Sequence, residues 1–281
     1  MKWHFRVLSA IGALLLLAAQ GAFAQGSNCL PAPPNLIEPG TLTVGISLAA
    51  PPTAFMKDDA AAGLDPELMT AIAQAMCLKP KFVNMAFAGL FPALIAKKID
   101  VIHSQVGITD VRKQSFDFVT VFVGGVRLIT QANSKLYFNT ESDTCGYTTA
   151  IMGGSTQMAA LERVKDSCPA NKPMTLRPFG GQAEAMNEVA RGSANAAFVD
   201  WAVATYAVAQ RPKDFAIASP ILSGKGPNTQ RNRIGIVFRK GETANVAAVE
   251  AAFKRVVQSG AYDAMLAKWS LQEGDLRKVN D

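Results

Sequence analysis

The chain has 281 residues, of which 49% are hydrophobic, so it is long enough to bury one large core or two smaller ones. Its 28 basic and 22 acidic residues give a net charge of +6 that is spread along the sequence without a basic run. This small, dispersed excess excludes the concentrated positive charge of a nucleic-acid-binding surface.

The first 24 residues have the layout of a secretory signal. Lys2 and Arg6 precede an apolar stretch over 7–19, and Ala22 and Ala24 supply the small residues of a cleavage site. We expect cleavage after Ala24, which removes these two cations and lowers the net charge from +6 to +4. Because the apolar stretch is shorter than the ~20 residues that a membrane helix needs, the mature protein is expected to be exported and soluble, in the periplasm.

Four cysteines follow the predicted signal, and an exported protein meets an oxidising compartment that favours disulfides. Four cysteines allow three pairings. We favour Cys29 with Cys77 and Cys145 with Cys168, because each pair then joins neighbouring elements in one half of the chain. The cysteine spacing fits no zinc pattern, and His103 is the one histidine outside the signal, so we expect no metal site.

After a proline-rich leader over 25–41, short apolar runs alternate with helical patterns. Asp65 is a plausible N-cap of the first helix, with Pro66 at its first helical position. The order of strand, helix and strand is typical of crossover units on a parallel sheet. In this half the predicted strands are 42–46, 81–85 and 99–104, and the predicted helices are 66–76 and 89–98.

A second alternating set follows a long extended run over 118–130, and its strand 195–199 ends at Asp200. Two such sets joined by extended segments predict two lobes with a cleft between them. The other predicted elements are strands at 146–152 and 233–238 and helices at 155–165, 182–192, 202–208, 245–260 and 261–271.

Six motifs in chain order resemble those of the extracytoplasmic solute-binding proteins of polar-amino-acid ABC importers. The resemblance covers nearly all of the chain after the signal. It implies an α/β fold of the type II periplasmic-binding-protein class, in which each lobe is a mixed, mostly parallel sheet with flanking helices and the ligand cleft lies between the lobes. The motifs are LTVGISLAAPPTAF (42–55), GLDPELMTAIAQAM (63–76), FAGLFPALIAKKIDVI (87–102), GITDVRKQSFDF (107–118), GGSTQ (153–157) and GSANAAFVDWAVATY (192–206).

The resemblance implies that lobe 1 comprises residues 42–129 and 232–281 and that lobe 2 comprises 130–231. A member of this family is expected to be a monomeric binding protein without enzymatic activity or cofactor. It would capture an amino acid or a similar solute as the lobes close and deliver it to the membrane permease of an ABC importer.

Two alternatives stay open. One is an enzyme on the same fold that resembles the cyclohexadienyl dehydratases, with Glu184 or His103 as its candidate acid or base. The other is a capture protein that serves a sensor or a dedicated oxidation pathway.

The resemblance assigns the main-chain groups of the ligand to two residues. Arg112 falls on the position that binds the α-carboxylate, where a planar guanidinium makes two parallel hydrogen bonds. Asp200 falls on the position that binds the α-ammonium. From the local sequence alone, an exposed ion pair of Arg112 with Asp110 or Asp117 is the alternative.

Four further positions are expected to contact the ligand. Ser155 and Thr156 lie on the turn before a helix, where free N–H groups and hydroxyls can bind a carboxylate or simply cap the helix. Phe87 corresponds to the aromatic residue that packs on the ligand side chain, and Gln105 lies among the ligand-binding positions.

The sequence departs from the family pattern at two positions. Ala50 stands where an aromatic residue is common, and Gly107 stands at a ligand-binding position that is usually Ser or Thr. These smaller residues predict a roomier pocket and a solute outside the common set.

Overall fold

The computed structural model describes residues 29–222 and 232–278. The predicted signal peptide over 1–24 and its cleavage site after Ala24 lie outside these ranges, as do residues 25–28 of the predicted leader. Within the described ranges, no helix combines the length and the apolar character that crossing a membrane requires.

The described elements follow the predicted alternation of strands and helices. The strands are β1 (Thr41–Ile46), β2 (Ala49–Ala50), β3 (Ala54–Lys57), β4 (Ala60–Ala62), β5 (Lys79–Asn84), β6 (Val101–Gly107), β7 (Phe116–Val123), β8 (Val126–Gln131), β9 (Thr148–Met152), β10 (Thr175–Phe179), β11 (Ala196–Asp200), β12 (Phe215–Ile217) and β13 (Arg233–Arg239). The α-helices are α1 (Leu64–Ala75), α2 (Phe87–Ile95), α3 (Asp110–Ser115), α4 (Thr156–Lys165), α5 (Gln182–Ala190), α6 (Trp201–Gln210), α7 (Thr243–Gln258) and α8 (Ala261–Lys268).

Two five-stranded sheets carry the fold, and both are mixed. The first has the order β5-β1-β6-β13-β7 and the second has the order β10-β9-β11-β8-β12. In the first sheet only β13 runs against the other four strands. In the second sheet only β8 does so. The predicted architecture of mixed, mostly parallel sheets is therefore confirmed.

The chain crosses between the two sheets twice, and the crossings lie side by side. The amide of Gly124 donates to the carbonyl of Asn232 at 2.7 Å, and Val126 forms a bridge with Leu222. The lobe border that was predicted after residue 129 falls inside β8, which pairs only in the second sheet. Strand pairing therefore puts the first crossing at Gly124 and Gly125, before β8 begins.

Apolar helix faces cover each sheet. One face of α7 is buried against the first sheet, with Val249, Phe253 and Val256 at most 6% exposed. A separate buried cluster packs α5 and α6 on the second sheet. Each sheet thus has its own core.

The cysteine pairing predicted from the sequence is confirmed. Cys29 is bonded to Cys77, and Cys145 is bonded to Cys168, with Cα atoms 5.6 Å apart in both pairs. The first bond ties the leader to the end of α1, and the second ties the segment before β9 to the end of α4.

Candidate functional site

The carboxyl ends of parallel strands from both sheets meet at one narrow cavity, which is where open α/β sheets bind ligands. The first sheet contributes residues that follow β1 and the end of β6, and the second contributes residues at the end of β9 and the start of α5. The cavity is lined by Ser47, Ala49, Ala50, Thr53, Ala54, Asp65, Phe87, Ser104, Gln105, Met152 and Gln182.

Arg112 bridges the two sides of this site. Its backbone N–H donates to the Thr109 hydroxyl at 3.1 Å, which caps the short helix α3. Its Nη1 donates to the carbonyl of Gly107 at 2.9 Å, and its Nη2 donates to the carbonyl of Gly154, beyond β9, at 3.0 Å. The guanidinium carbon lies 4.9 Å from the ring centre of Phe91. Burial lowers the pKa of Arg112 to about 10, and the group remains a cation at neutral pH.

The surface ion pair expected from the local sequence is not found. Asp110 pairs with Lys113 at 3.2 Å, and Asp117 pairs with Lys240 at 2.8 Å. Within the described ranges, Arg112 has hydrogen bonds to carbonyl oxygens but no carboxylate partner. Two of its five N–H bonds are used in these contacts, so the planar group retains donors for an anion.

Asp200 ends β11, and its carboxylate is held by two glutamine side chains. Gln157 donates to Oδ1 at 2.6 Å, and Gln182 donates to Oδ2 at 2.5 Å. Gln182 also accepts from the backbone N–H of Asp200 at 2.7 Å. Burial raises the pKa of Asp200 to about 7, and the charge of Asp65 raises it further while the two glutamines oppose the shift.

Ser155 and Thr156 begin α4 but have different surroundings. The Ser155 hydroxyl accepts from the amide of Met158 at 3.0 Å and donates to the carbonyl of Met152 at 2.7 Å, so this side chain caps the helix. The Thr156 hydroxyl donates to Gln157 Oε1 at 3.1 Å. Thr156 therefore connects with the group that holds Asp200, whereas both hydrogen-bonding roles of the Ser155 hydroxyl are taken by the helix start.

The roomier pocket expected from Gly107 and Ala50 is not found. A Cβ added at Gly107 would lie 2.2 Å from Nδ2 of Asn232, so the Asn232 side chain fills that space. On the other side, Ala50 packs against the core of the second sheet, and a Cβ at Gly181 would lie 2.6 Å from the Cβ of Ala49. The small residues thus permit close approach of the two sides instead of leaving space.

Phe87 combines the two roles that were weighed for it. Its side chain is 2% exposed and belongs to the buried cluster of α2 and β6. It also lines the cavity, and its ring centre lies 5.8 Å from the guanidinium carbon of Arg112. The ring is therefore a wall of the site that is fixed by core packing.

Asp65 is not the helix cap that the sequence suggested. Helix α1 begins at Leu64, its N-cap position is Gly63, and no side chain caps it. Gly63 has φ 114, and a Cβ there would lie within 2.7 Å of the backbone of Thr53, so the chain approaches itself closely here. This approach turns the first turn of α1, and Asp65 with it, into the cavity.

The Asp65 carboxyl is completely buried beside residues of β6. Gln105 donates to its Oδ1 at 2.6 Å, and Nε2 of His103 lies 3.4 Å from the same oxygen. Burial raises the pKa of Asp65 to about 7 and lowers the pKa of His103 to about 3. Both directions keep the pair uncharged at mildly acidic pH, so we describe it as a neutral contact and not as an ion pair.

The second candidate acid or base, Glu184, lies outside the cavity lining. It is exposed, and it accepts from the backbone N–H of Gly180 at 2.9 Å. This contact satisfies a backbone donor at the start of α5.

Sequence reasoning missed the amide side chains of Gln157, Gln182 and Asn232. All three are buried, at 7% exposure or less. For Gln157 and Gln182 the available signal was an amide in the first turn of a helix, directly after a Ser-Thr or a Gly-Gly turn. Asn232 directly precedes β13 and carried no such signal.

Comparison with known proteins gives one consistent result. The model of the bacterial extracellular solute-binding proteins, family 3, matches residues 42–272. The lysine/arginine/ornithine-binding periplasmic protein of Escherichia coli (strain K12) is 30% identical over 240 residues, which cover 82% of this chain and 88% of that protein. A mutant of ArgBP from T. maritima superposes with a TM-score of 0.73 at 31% identity, covering 82% of this chain and 95% of that one.

A third similar structure bears on the enzyme alternative. The ancestral amino acid-binding protein AncCDT-1, a precursor of cyclohexadienyl dehydratase, superposes with a TM-score of 0.71 at 25% identity, covering 82% of this chain and 95% of that one.

Proposed function

This chain belongs to the bacterial extracellular solute-binding proteins, family 3, and on that premise we propose that it captures an amino acid between two lobes and delivers it to the permease of an ABC importer. Lobe 1 is built on the first sheet and lobe 2 on the second, with the border of the predicted ranges 42–129, 232–281 and 130–231 moved to the crossing at Gly124 and Gly125. The protein acts in the periplasm as a monomer, after removal of residues 1–24.

The observation that carries this proposal is the placement of Arg112 and Asp200. One is a half-buried cation without a carboxylate partner in the described ranges, and the other is a carboxyl from the opposite sheet whose pKa burial raises. An amino acid supplies the complementary pair, since its carboxylate meets the guanidinium and its ammonium meets Asp200. Thr156 and the first amides of α4 add donors for the carboxylate.

Ligand binding favours closure because these two groups lie on different lobes. A ligand shifts the equilibrium toward the state in which both contacts exist, by an amount set by its differential affinity for the closed and open forms. The hydrogen bond from Arg112 to Gly154 and the contact of Ala49 with Gly181 then form part of the closed interface.

The dehydratase alternative has less support. Glu184 is exposed and hydrogen-bonded to the backbone, and His103 is buried behind Asp65 with its pKa lowered. Turnover of prephenate or arogenate by the purified protein would nevertheless establish it. Capture for a sensor or an oxidation pathway would use the same binding site, and a permease pull-down distinguishes it from import.

Calorimetric titration with a panel of L-amino acids tests the proposal. The protein is first freed of carried-over ligand by unfolding and refolding with its disulfides intact. We expect saturable binding of one class of amino acid and its loss in Arg112→Gln. The matched control is Arg211→Gln, because Arg211 also lies over an aromatic ring, that of Phe215 at 4.7 Å, but already has a carboxylate partner in Asp214 at 2.7 Å. Absence of saturable binding to every amino acid of the panel, measured with folded protein, would contradict the proposal.

A further inference from the structure

The Asp65 carboxyl carries an unmet hydrogen-bonding capacity at the base of the cavity. The residue is 0% exposed, and its Oδ2 makes no hydrogen bond with any residue that the structure describes. A buried oxygen of this kind destabilises the fold as long as no donor reaches it. Because Asp65 also lines the cavity, a group that enters the cavity can supply the donor.

Asp65 and Asp200 approach the site from different lobes, because Asp65 lies on α1 and Asp200 ends β11. Gln182 donates to Asp200 and also lines the cavity that Asp65 lines. Burial is the main cause of the raised pKa of Asp200 and the charge of Asp65 adds to it, so the two carboxyl groups are close enough to interact. A ligand whose ammonium lies at Asp200 can therefore extend its side chain past Gln182 toward Asp65.

Gln105 fixes the orientation of the Asp65 carboxyl. It is a non-glycine residue with φ 51 near the end of β6, a left-handed conformation that is unfavourable for a residue with a side chain. In this conformation its amide donates to Oδ1 at 2.6 Å. The contact occupies one oxygen and leaves Oδ2 as the acceptor for another group.

The charges around Asp65 favour a cationic group as that donor. The neighbouring titratable groups are His103 on β6, Asp200 on β11 and Tyr262 on α8, whose pKa the charge of Asp65 helps to raise. Lysine and arginine side chains are absent from the cavity lining, and the described residues provide no Lys or Arg ion pair for Asp65. A buried carboxyl without such a partner favours a cationic donor over a neutral one, because an opposite charge stabilises its ionised form.

We propose that Asp65, oriented by Gln105, binds the end of the ligand side chain and selects an amino acid whose side chain carries a protonated nitrogen, an ammonium or a guanidinium. This inference rests on the proposed capture of an amino acid by Arg112 and Asp200. It adds a second carboxylate contact, which distinguishes among amino acids instead of recognising their common part.

Calorimetry with matched ligand pairs tests the inference. Lysine is compared with norleucine and arginine with citrulline at pH 7.5, and we expect the cationic member of at least one pair to bind tenfold tighter or more. In Asp65→Asn this ratio should fall to near one. The control Asp100→Asn should keep it, because Asp100 is a buried carboxylate of the same lobe whose oxygens accept from the amides of Ile37 and Thr43.

A second measurement needs no variant. Burial raises the pKa of Asp65 to about 7, so at pH 6 a cation that contacts it displaces a proton. The binding enthalpy measured in buffers of different ionisation enthalpy should then show more proton release with lysine than with norleucine, or with arginine than with citrulline. Asp200 contributes equally within each pair.

The outcomes separate the two proposals. Saturable binding with equal affinity for both members of each pair, or with preference for the neutral member, would overturn the role of Asp65 and leave amino-acid capture standing. Equal proton release within the pairs would do the same. Absence of saturable binding to any amino acid would contradict the proposed function itself.

Discussion

Asp65 and Asp200 are the same residue type in nearly the same electrostatic state, yet their hydrogen bonds differ. Both are buried, and burial raises the pKa of each to about 7. Two glutamines donate to the two oxygens of Asp200, whereas Asp65 receives one glutamine on one oxygen. Burial thus raises the pKa of both carboxyls to a similar value, whereas the number of neighbouring donors decides how many hydrogen bonds each carboxyl can still accept.

The difference arises from local structure. Asp200 ends a strand, where its own backbone N–H binds Gln182 and fixes the carboxylate for any ligand with an ammonium. Asp65 lies in the first turn of a helix that the close approach at Gly63 tilts into the cavity. A rigidly held carboxylate suits the α-ammonium, which all amino acids share. A carboxylate with an unpaired oxygen suits the side chain, which differs among amino acids.

The largest effect should come from removing the contact between Asp200 and the α-ammonium of the ligand. Asp200→Asn keeps the shape and the hydrogen-bonding length but removes the charge, so affinity for every amino acid that binds should fall about 100-fold, as for the loss of one partner in a buried charge pair. The des-amino analogue of the same ligand should change less than about threefold. Calorimetry measures both. Equal losses for the amino acid and its analogue would remove Asp200 from the ammonium site.

A smaller effect should follow from pH. Both carboxyl groups have pKa values raised to about 7, and a protonated carboxyl does not attract an ammonium. For a ligand that contacts Asp200 alone, affinity should therefore fall by about 25-fold as the pH drops from 7.5 to 5.5, which is the change in the ionised fraction of a carboxyl with a pKa of about 7. Affinity that is independent of pH over this range would show that both groups are already ionised. Asp200→Asn should reduce the slope.

The smallest effect concerns stability. Because the folded-state pKa of Asp65 lies above its unfolded value, the folded protein binds more protons between about pH 4 and pH 7, and the free energy of unfolding falls as the pH rises through this window. Asp65→Asn should remove this loss and raise the free energy of unfolding at pH 8 by about 1–3 kcal/mol. Denaturant unfolding at pH 5 and pH 8 measures it.

The control for stability is again Asp100→Asn, which should destabilise the protein. The two oxygens of Asp100 accept from the amides of Ile37 and Thr43, and the NH2 group of an asparagine would leave one of these amides without an acceptor. If both substitutions destabilise equally at pH 8, the Asp65 carboxyl has native partners that compensate its burial.

Much of the fold follows from local patterns. Apolar periodicity located most strands and helices, including the buried stripe of α7. The elements that escaped it are α3, β2, β3, β4, β10 and β12. Helix α3 is short and polar, and β10 contains Arg177 and Pro178. The run over 118–130 was predicted as one extended segment, but Gly124 and Gly125 divide it between two sheets. Hydrophobicity alone does not record which sheet a strand joins.

The candidate site was predictable only in part. A family motif pointed to Arg112 and Asp200, and the structure places Arg112 on the short helix α3 and Asp200 at the end of β11. The filling of the space at Gly107 by Asn232 was not predictable, since it depends on a segment more than 100 residues away. The burial of Asp65 likewise depends on the backbone approach at Gly63 and not on the capping preference of aspartate.

The most direct test of the division of roles is a crossed titration of three ligands against two variants. Lysine, norleucine and 6-aminohexanoic acid are titrated into the wild type, Asp200→Asn and Asp65→Asn. If Asp200 binds the α-ammonium and Asp65 the side-chain cation, Asp200→Asn weakens lysine and norleucine but spares 6-aminohexanoic acid, and Asp65→Asn weakens lysine and 6-aminohexanoic acid but spares norleucine. The same loss for all three ligands in both variants would contradict separate roles for the two carboxylates.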